Sequence, residues 1–173
     1  VAVPSEQSTA YLLFRLWAPE HVPAPRAEIV VMPFEQIMPA VAGGAVDAGL
    51  VIHEARFTYP AYALSALVDL GEWWELHTGL AIPLGAIVAR DDLDVGAIAG
   101  WVRASVEHAW ADPTASEDYV RQNAQEMDRA VQRRHIDLYV NELTRDLGDD
   151  GWAAVRGFLQ RGADAGLLPS VTV

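Results

Sequence analysis

Residues 46–59 read Val-Asp-Ala-Gly-Leu-Val-Ile-His-Glu-Ala-Arg-Phe-Thr-Tyr. Leu50, Val51 and Ile52 form a continuous apolar run instead of an alternating one. Such a run predicts a strand over residues 47–53 covered on both faces, as in a parallel sheet flanked by helices. Working outward, the β-branched run Glu28 to Met32 predicts a second strand. Pro33 then opens a short helix that stops at Gly43 and Gly44, with Ile37, Met38 and Val41 facing inward. Val1 to Pro4 predicts a third, buried strand. Ser5 to Ser8 is a polar turn, and Ser8 is an N-cap for a helix from Thr9 to Trp17. Strand, helix, strand, helix, strand is the rhythm of an α/β layer with a mostly parallel sheet.

The rest of the chain departs from that rhythm. Pro19, Pro23 and Pro25 predict a surface loop over residues 18–27. Residues 54–80 are aromatic and rich in turn formers, with Val68 to Leu76 read as an extended crossing segment and Ile82 to Ala89 as a strand. Helices follow to the end. One runs from Val95 to Trp110 and is broken at Asp112-Pro113, and Ser116 caps the next. Ile136, Tyr139, Val140, Leu143 and Leu147 keep helical spacing up to a stop at Gly148. A last helix spans Asp150 to Ala165, with Trp152, Val155 and Leu159 inward and Gly166 as its stop.

Composition removes several function classes. Net charge is −12 and the chain has no basic stripe, which argues against nucleic acid and against an anionic membrane surface. The apolar run Gly79 to Ala89 is too short to span a bilayer and is broken by Pro83. All 12 basic residues are Arg. Without Lys there is no side-chain amine for a Schiff base, so pyridoxal phosphate chemistry is not expected. Cys is also absent, which removes thiol nucleophiles and disulfides and fits the cytoplasm. The five His are scattered over unrelated segments, and Phe57 stands where a His-Glu-x-x-His zinc motif needs its second His. No metal and no cofactor is expected. Mean hydropathy is +0.11, which fits either apolar surface awaiting a partner or a merely Ala-rich composition.

Three places carry candidate chemistry. His53 and Glu54 stand at the C-terminal end of the 47–53 strand, where open α/β sheets bind ligands. A histidine there suits a general base near neutral pH, although a structural histidine at a strand end is the commoner case. Extended geometry would turn Glu54 to the opposite side of the strand from His53. The second place is Ser8-Thr9-Ala10, where open N–H groups at a helix start suit a carboxylate or phosphate. The third is His135 to Thr144, in which Asn141 is an unusual residue within a helix. Trp73 and Trp74 are read as core or interface packing, with a ligand-stacking wall as the lesser reading.

Several segments together resemble the 1,4-dihydroxy-6-naphthoate synthase family of the futalosine route to menaquinone. They are Val1-Ala-Val-Pro with Ser8-Thr9-Ala10, the 46–59 block, Asp69-Leu-Gly-Glu-Trp-Trp74, Thr78-Gly-Leu-Ala-Ile-Pro-Leu-Gly-Ala86 and Tyr139-Val-Asn141. The resemblance covers nearly the whole chain, and its most specific feature is His-Glu-x-Arg-Phe-Thr-Tyr followed by Asp-Leu-Gly-Glu-Trp-Trp. Ser8 departs mildly, standing where the family often has a second Thr. The Pro-rich loop is also longer.

The resemblance implies a periplasmic-binding-protein-like fold of type II, with the first lobe largely missing from this N-terminally incomplete chain. Residues 1–80 would be a central α/β lobe carrying the catalytic strand end. Residues 81–173 would supply a further strand and the returning C-terminal helices, part of which would pack on the missing lobe. The implied activity is cleavage of cyclic dehypoxanthinyl futalosine to 1,4-dihydroxy-6-naphthoate and dihydroxyacetone. His53 matches the catalytic base, and Ser8, Thr9, Ala10, Arg56 and Asn141 are the implied substrate-binding residues. The substrate would be a small-molecule carboxylate. The alternatives are a non-catalytic solute-binding protein of the same fold, or the chorismate dehydratase of the same pathway.

Overall fold

The computed structural model describes residues 1–23, 27–124 and 128–170. They are mostly helical, with one small parallel sheet among the described residues. The chain divides into two units. The first comprises Val1–Leu84 with Ala153–Val173, and the second Gly85–Trp152.

In the first unit, β1 (Ala2–Val3) is fully buried and forms the centre of the sheet. On one edge it pairs in parallel with β2 (Val30–Val31), Ala2 against Val30 and Val3 against Val31. On the other edge Ala2 donates to the Ala48 carbonyl at 2.9 Å and accepts from the Leu50 amide at 2.8 Å. This parallel bridge at Gly49 is all that forms of the strand expected over residues 47–53, so the fully extended third strand is not borne out. One bridge still fixes direction, and the three segments run parallel.

The helices follow from local signals. Ser8 caps α1 (Thr9–His21), accepting from the Tyr11 amide. α1 continues through Pro19, four residues beyond the expected stop at Trp17. Only the last turn is affected by the proline, where the missing N–H costs one internal bond. Of the predicted 18–27 loop, residues 24–26 lie outside the described residues. α2 (Phe34–Ala42) starts after Pro33 and ends at Gly43, as read from the sequence. A short α3 (Ala55–Thr58) and a 3-10 turn at Tyr59–Tyr62 follow.

Val68 to Leu76 is not an extended segment. α4 (Leu70–Thr78) occupies most of it, because Asp69 accepts from the amides of Gly71 and Glu72 and so starts a helix. Gly79 closes it in the left-handed conformation, φ 67°. Residues 82–89 form no strand either. An apolar run becomes a strand only beside a partner strand, and none pairs with it among the described residues.

α1 is buried on two sides. Val3, Tyr11 and Phe14 form one cluster, joined by Trp17, Ile29, Leu50 and Leu70. Leu13, Trp74 and Phe158 form another with Leu12, Leu16, Trp73 and Leu80. Trp74 is fully buried, its ring meets Phe158 edge-on at 5.2 Å, and its indole N–H donates to the Ala81 carbonyl. Trp74 is therefore core, and Trp73 packs half-buried against the same cluster, its Nε1 shielded without a hydrogen-bond partner.

The second unit holds α5 (Val95–Ala111), α6 (Glu117–Asn123), α7 (Arg129–Tyr139) and α8 (Glu142–Arg145). Ser116 occupies the cap position of α6 without a side-chain cap bond. The single helix expected across residues 136–147 breaks at Val140, and Gly148 opens α9 (Gly148–Asp164) instead of ending its predecessor. The inward face of α9 is Gly151, Ala154, Phe158 and Gly162. The expected face, Trp152, Val155 and Leu159, is one residue out of phase, and Trp152 is 45% exposed.

Candidate functional site at the strand ends

Three parallel segments leave the sheet at the same edge. β1 leads through Pro4 and Ser8 into α1, β2 leads through Pro33 into α2, and the Gly49 segment leads to His53 and α3. Neighbouring strands lie about 4.8 Å apart, so the residues just past their ends gather at one rim. The start of α1, with Ser8, Thr9 and Ala10, and the turn at His53 each follow the C-terminal end of one of these parallel segments.

Ser8 is in extended conformation, φ −116° and ψ 152°. Its hydroxyl accepts from the Tyr11 amide at 3.1 Å and donates to the Ser5 carbonyl at 3.0 Å. Its carbonyl accepts from the Leu12 amide. Ser8 therefore serves the helix start and has no hydroxyl proton left for a ligand. The first four amides of a helix have no partner within it. The Tyr11 amide meets the Ser8 hydroxyl, and those of Thr9 and Ala10 are left as open donors at the positive end of a 13-residue helix. The Thr9 hydroxyl donates to the Pro83 carbonyl at 3.3 Å, so an anion at this end would meet amides before the hydroxyl.

His53 does not sit on a regular strand. Its φ is +54°, and Glu54 already has helical dihedrals as the cap of α3. The strand alternation that would turn Glu54 away from His53 does not apply. Glu54 serves α3 through its carbonyl, which accepts from the Phe57 amide at 2.8 Å and the Thr58 hydroxyl at 3.3 Å. His is among the few non-glycine residues that adopt the left-handed region, at a cost of about 1–3 kcal/mol, and such residues concentrate at functional sites. The side chain is exposed, and the ring of Phe34 meets it edge-on with centroids 5.7 Å apart and planes at 76°.

Arg56 donates to Asp69 at 2.6 Å, with the side chains 38% and 31% exposed. The same carboxylate caps α4 through its other oxygen. Arg56 thus ties α3 to the start of α4. Asn141 belongs to the second unit, where it is not within a helix. It caps α8: its side-chain oxygen accepts from the Leu143 amide, its backbone amide donates to the Thr144 hydroxyl, and its side-chain amide donates to the Leu138 carbonyl. Its presence between two helical stretches is explained by this capping box.

Sequence reading passed over Phe34 and Pro83. The signal for Phe34 was the one that marked Ser8 and His53, a position just past the end of a β-branched run. Pro83 has no such signal, since its carbonyl reaches Thr9 across 74 residues. Among the described residues no helix is long and apolar enough to cross a membrane.

Residues 1–164 match the family model described as menaquinone biosynthesis. The chain is 64% identical over 174 residues to the 1,4-dihydroxy-6-naphtoate synthase of Streptomyces coelicolor, covering 99% of this chain and 62% of that protein. It is 48% identical over 158 residues to the Thermus thermophilus protein of the same name, covering 90% of this chain and 56% of that one. The fold is similar to a crystal structure of an Archaeoglobus fulgidus protein, with TM-score 0.86 and 33% identity over 96% of this chain and 62% of that one. The chain therefore spans about three fifths of the length of the relatives it matches.

Proposed function

The chain belongs to the menaquinone-biosynthesis family, and from that membership we propose that it carries the catalytic strand ends of a 1,4-dihydroxy-6-naphthoate synthase, a carbon–carbon lyase. The substrate is cyclic dehypoxanthinyl futalosine, and the products are 1,4-dihydroxy-6-naphthoate and dihydroxyacetone. The finer fold is the periplasmic-binding-protein-like type II arrangement, in which two lobes close on a ligand. What supports the reading is an exposed imidazole on a left-handed turn and two open helix-start amides, each following the C-terminal end of a parallel segment of the sheet.

In this reading His53 takes a hydroxyl proton. The carbon–carbon bond then breaks in the retro-aldol sense, and its electron pair enters the conjugated ring system of the substrate. The ring carboxylate rests on the Thr9 and Ala10 amides, where the helix end contributes about 0.3–1 kcal/mol beyond the hydrogen bonds. Thr9 binds through its amide and is held in place by Pro83. Arg56 and Asn141 act through the turns they brace more than by direct contact.

The partner of this region is the part of the family's length that the match leaves out. Ile87, Val88 and Trp101 of the second unit are 75%, 88% and 71% exposed, and the buried apolar side chains among its described residues are Val106 and Val131. So much uncovered apolar surface supports a further lobe packing on this unit.

The test is product formation by the natural full-length protein. With cyclic dehypoxanthinyl futalosine, naphthoate should accumulate over many turnovers, and chorismate should be left unchanged. Binding without turnover would overturn the lyase reading in favour of a solute-binding protein, and dehydration of chorismate would overturn it in favour of the dehydratase.

A further inference from the structure

Phe34, Ile37, Met38 and Val41 recur along α2 at the spacing of one helix face. Ile37 is fully buried and Met38 nearly so. Gly49 lets that face come unusually close to the third sheet segment, because a Cβ at Gly49 would lie 2.3 Å from the Ile37 Cγ2 and 3.1 Å from the Val41 Cγ2. The position of α2 is thus set against the very segment that, four residues later, reaches His53. Phe34 is the first residue of α2 and carries the apolar face past the end of the sheet. There it meets the His53 ring edge-on at 5.7 Å.

His53 is exposed and lies on a left-handed turn, where the edge of the Phe34 ring meets it. A base must sit in a narrow range of positions to meet the proton it removes, and displacement by about 1 Å can cost about 10²-fold in rate. An aromatic partner favours an edge-to-face arrangement over others, so it supplies orientation as well as contact.

We propose that Phe34 is a positioning residue for His53, with Gly49 and Ile37 fixing where its ring stands. The proposal rests on the reading of His53 as the base, and it assigns Phe34 no contact with the reacting atoms. An aliphatic side chain of similar bulk would fill the same space but would not orient the imidazole. Filling space and orienting a ring are therefore separable by substitution.

The experiment compares Phe34→Leu, Phe34→Tyr and Phe34→Ala in the natural full-length protein, each alone and combined with His53→Ala. Phe34→Leu and Phe34→Ala should lower kcat about 10- to 10²-fold with KM nearly unchanged, and Phe34→Tyr should keep most of the activity. On a His53→Ala background the same substitutions should lower kcat no further. A second measurement does not depend on turnover: the NMR order parameter of the His53 ring should fall in Phe34→Leu, while the Ile37 and Met38 methyl signals stay in place. Normal kcat in Phe34→Leu with an unchanged ring order parameter would overturn the proposal. So would an equal loss in kcat on both backgrounds. If His53→Ala alone keeps full activity, the base assignment fails and positioning for catalysis with it. The ring order parameter would still report whether Phe34 holds the imidazole.

Discussion

Replacing Gly49 by Ala probes the packing that places the site. Gly49 does not need its backbone freedom, since its φ is not positive, so the cost is steric alone. The new Cβ would stand 2.3 Å from the Ile37 Cγ2. Carbon atoms at rest lie about 3.5–4.0 Å apart, so the gap must open by more than about 1 Å. Ile37 is fully buried and β-branched, so Cγ2 cannot swing aside. Either α2 or residues 48–50 must move, and overpacking of this kind costs about 1–3 kcal/mol. Urea denaturation of the natural protein should show that loss. Amide exchange should rise at Leu50 and Ala2, whose bonds across the bridge are 2.8 and 2.9 Å. Ile37→Leu removes the offending Cγ2 while keeping the carbon count, so it should recover part of the loss in the Gly49→Ala background. Stability of Gly49→Ala within about 0.5 kcal/mol of the parent, the range of ordinary surface changes, would refute the reasoning. Failure of Ile37→Leu to recover any of the loss would also count against it.

Two further predictions concern backbone and charge. Because His53 has φ +54°, His53→Gly should be more stable than His53→Ala by about 1 kcal/mol, read as the difference in urea midpoints at constant slope, even though both lack the imidazole. Equal stabilities would mean the turn does not hold the left-handed conformation in solution. The Asp112 carboxyl is held below the ordinary carboxylate range, first by the Thr114 hydroxyl and then by the Thr114 amide. A group lowered on folding adds stability above its unfolded value and loses it as pH falls through the folded one. Thr114→Val should therefore move the Asp112 titration back up, as followed by its carboxyl NMR shift. An unmoved titration would remove the Thr114 hydroxyl as the cause.

The parts of the fold legible in the sequence were those fixed by local chemistry. Ser8 as a cap, Pro33 before α2, Gly43 after it and the helix from Val95 all follow from side chains acting within a few residues. The misreadings fall where distant packing or a competing signal decided. α4 was hidden because Val68, Trp73 and Trp74 favour strands, whereas the Asp69 cap three residues before Glu72 carried the helix signal. Residues 82–89 look like a strand but pair with no strand among the described residues. Asn141 looked misplaced inside an apolar period that runs on from Ile136 to Leu147, but it starts a new helix there. The phase of α9 was lost because Gly151 and Gly162 face inward, and a small residue leaves no hydrophobic mark.

For the candidate site, the strand-end logic reached His53 and the Ser8–Thr9 helix start but assumed an extended His53. The left-handed turn there leaves no trace in residue type. Phe34 could have been read from its place after β2. The tie from Arg56 to Asp69 was not readable, since thirteen residues separate them and both have other common roles.

The most direct measurement is kcat for His53→Ala in the natural full-length protein acting on cyclic dehypoxanthinyl futalosine. A positioned general base contributes about 10²–10⁴-fold. The account predicts a fall in kcat of about that size, with folding and substrate binding retained. A folded His53→Ala protein that binds the substrate and turns it over with near-normal kcat would contradict it.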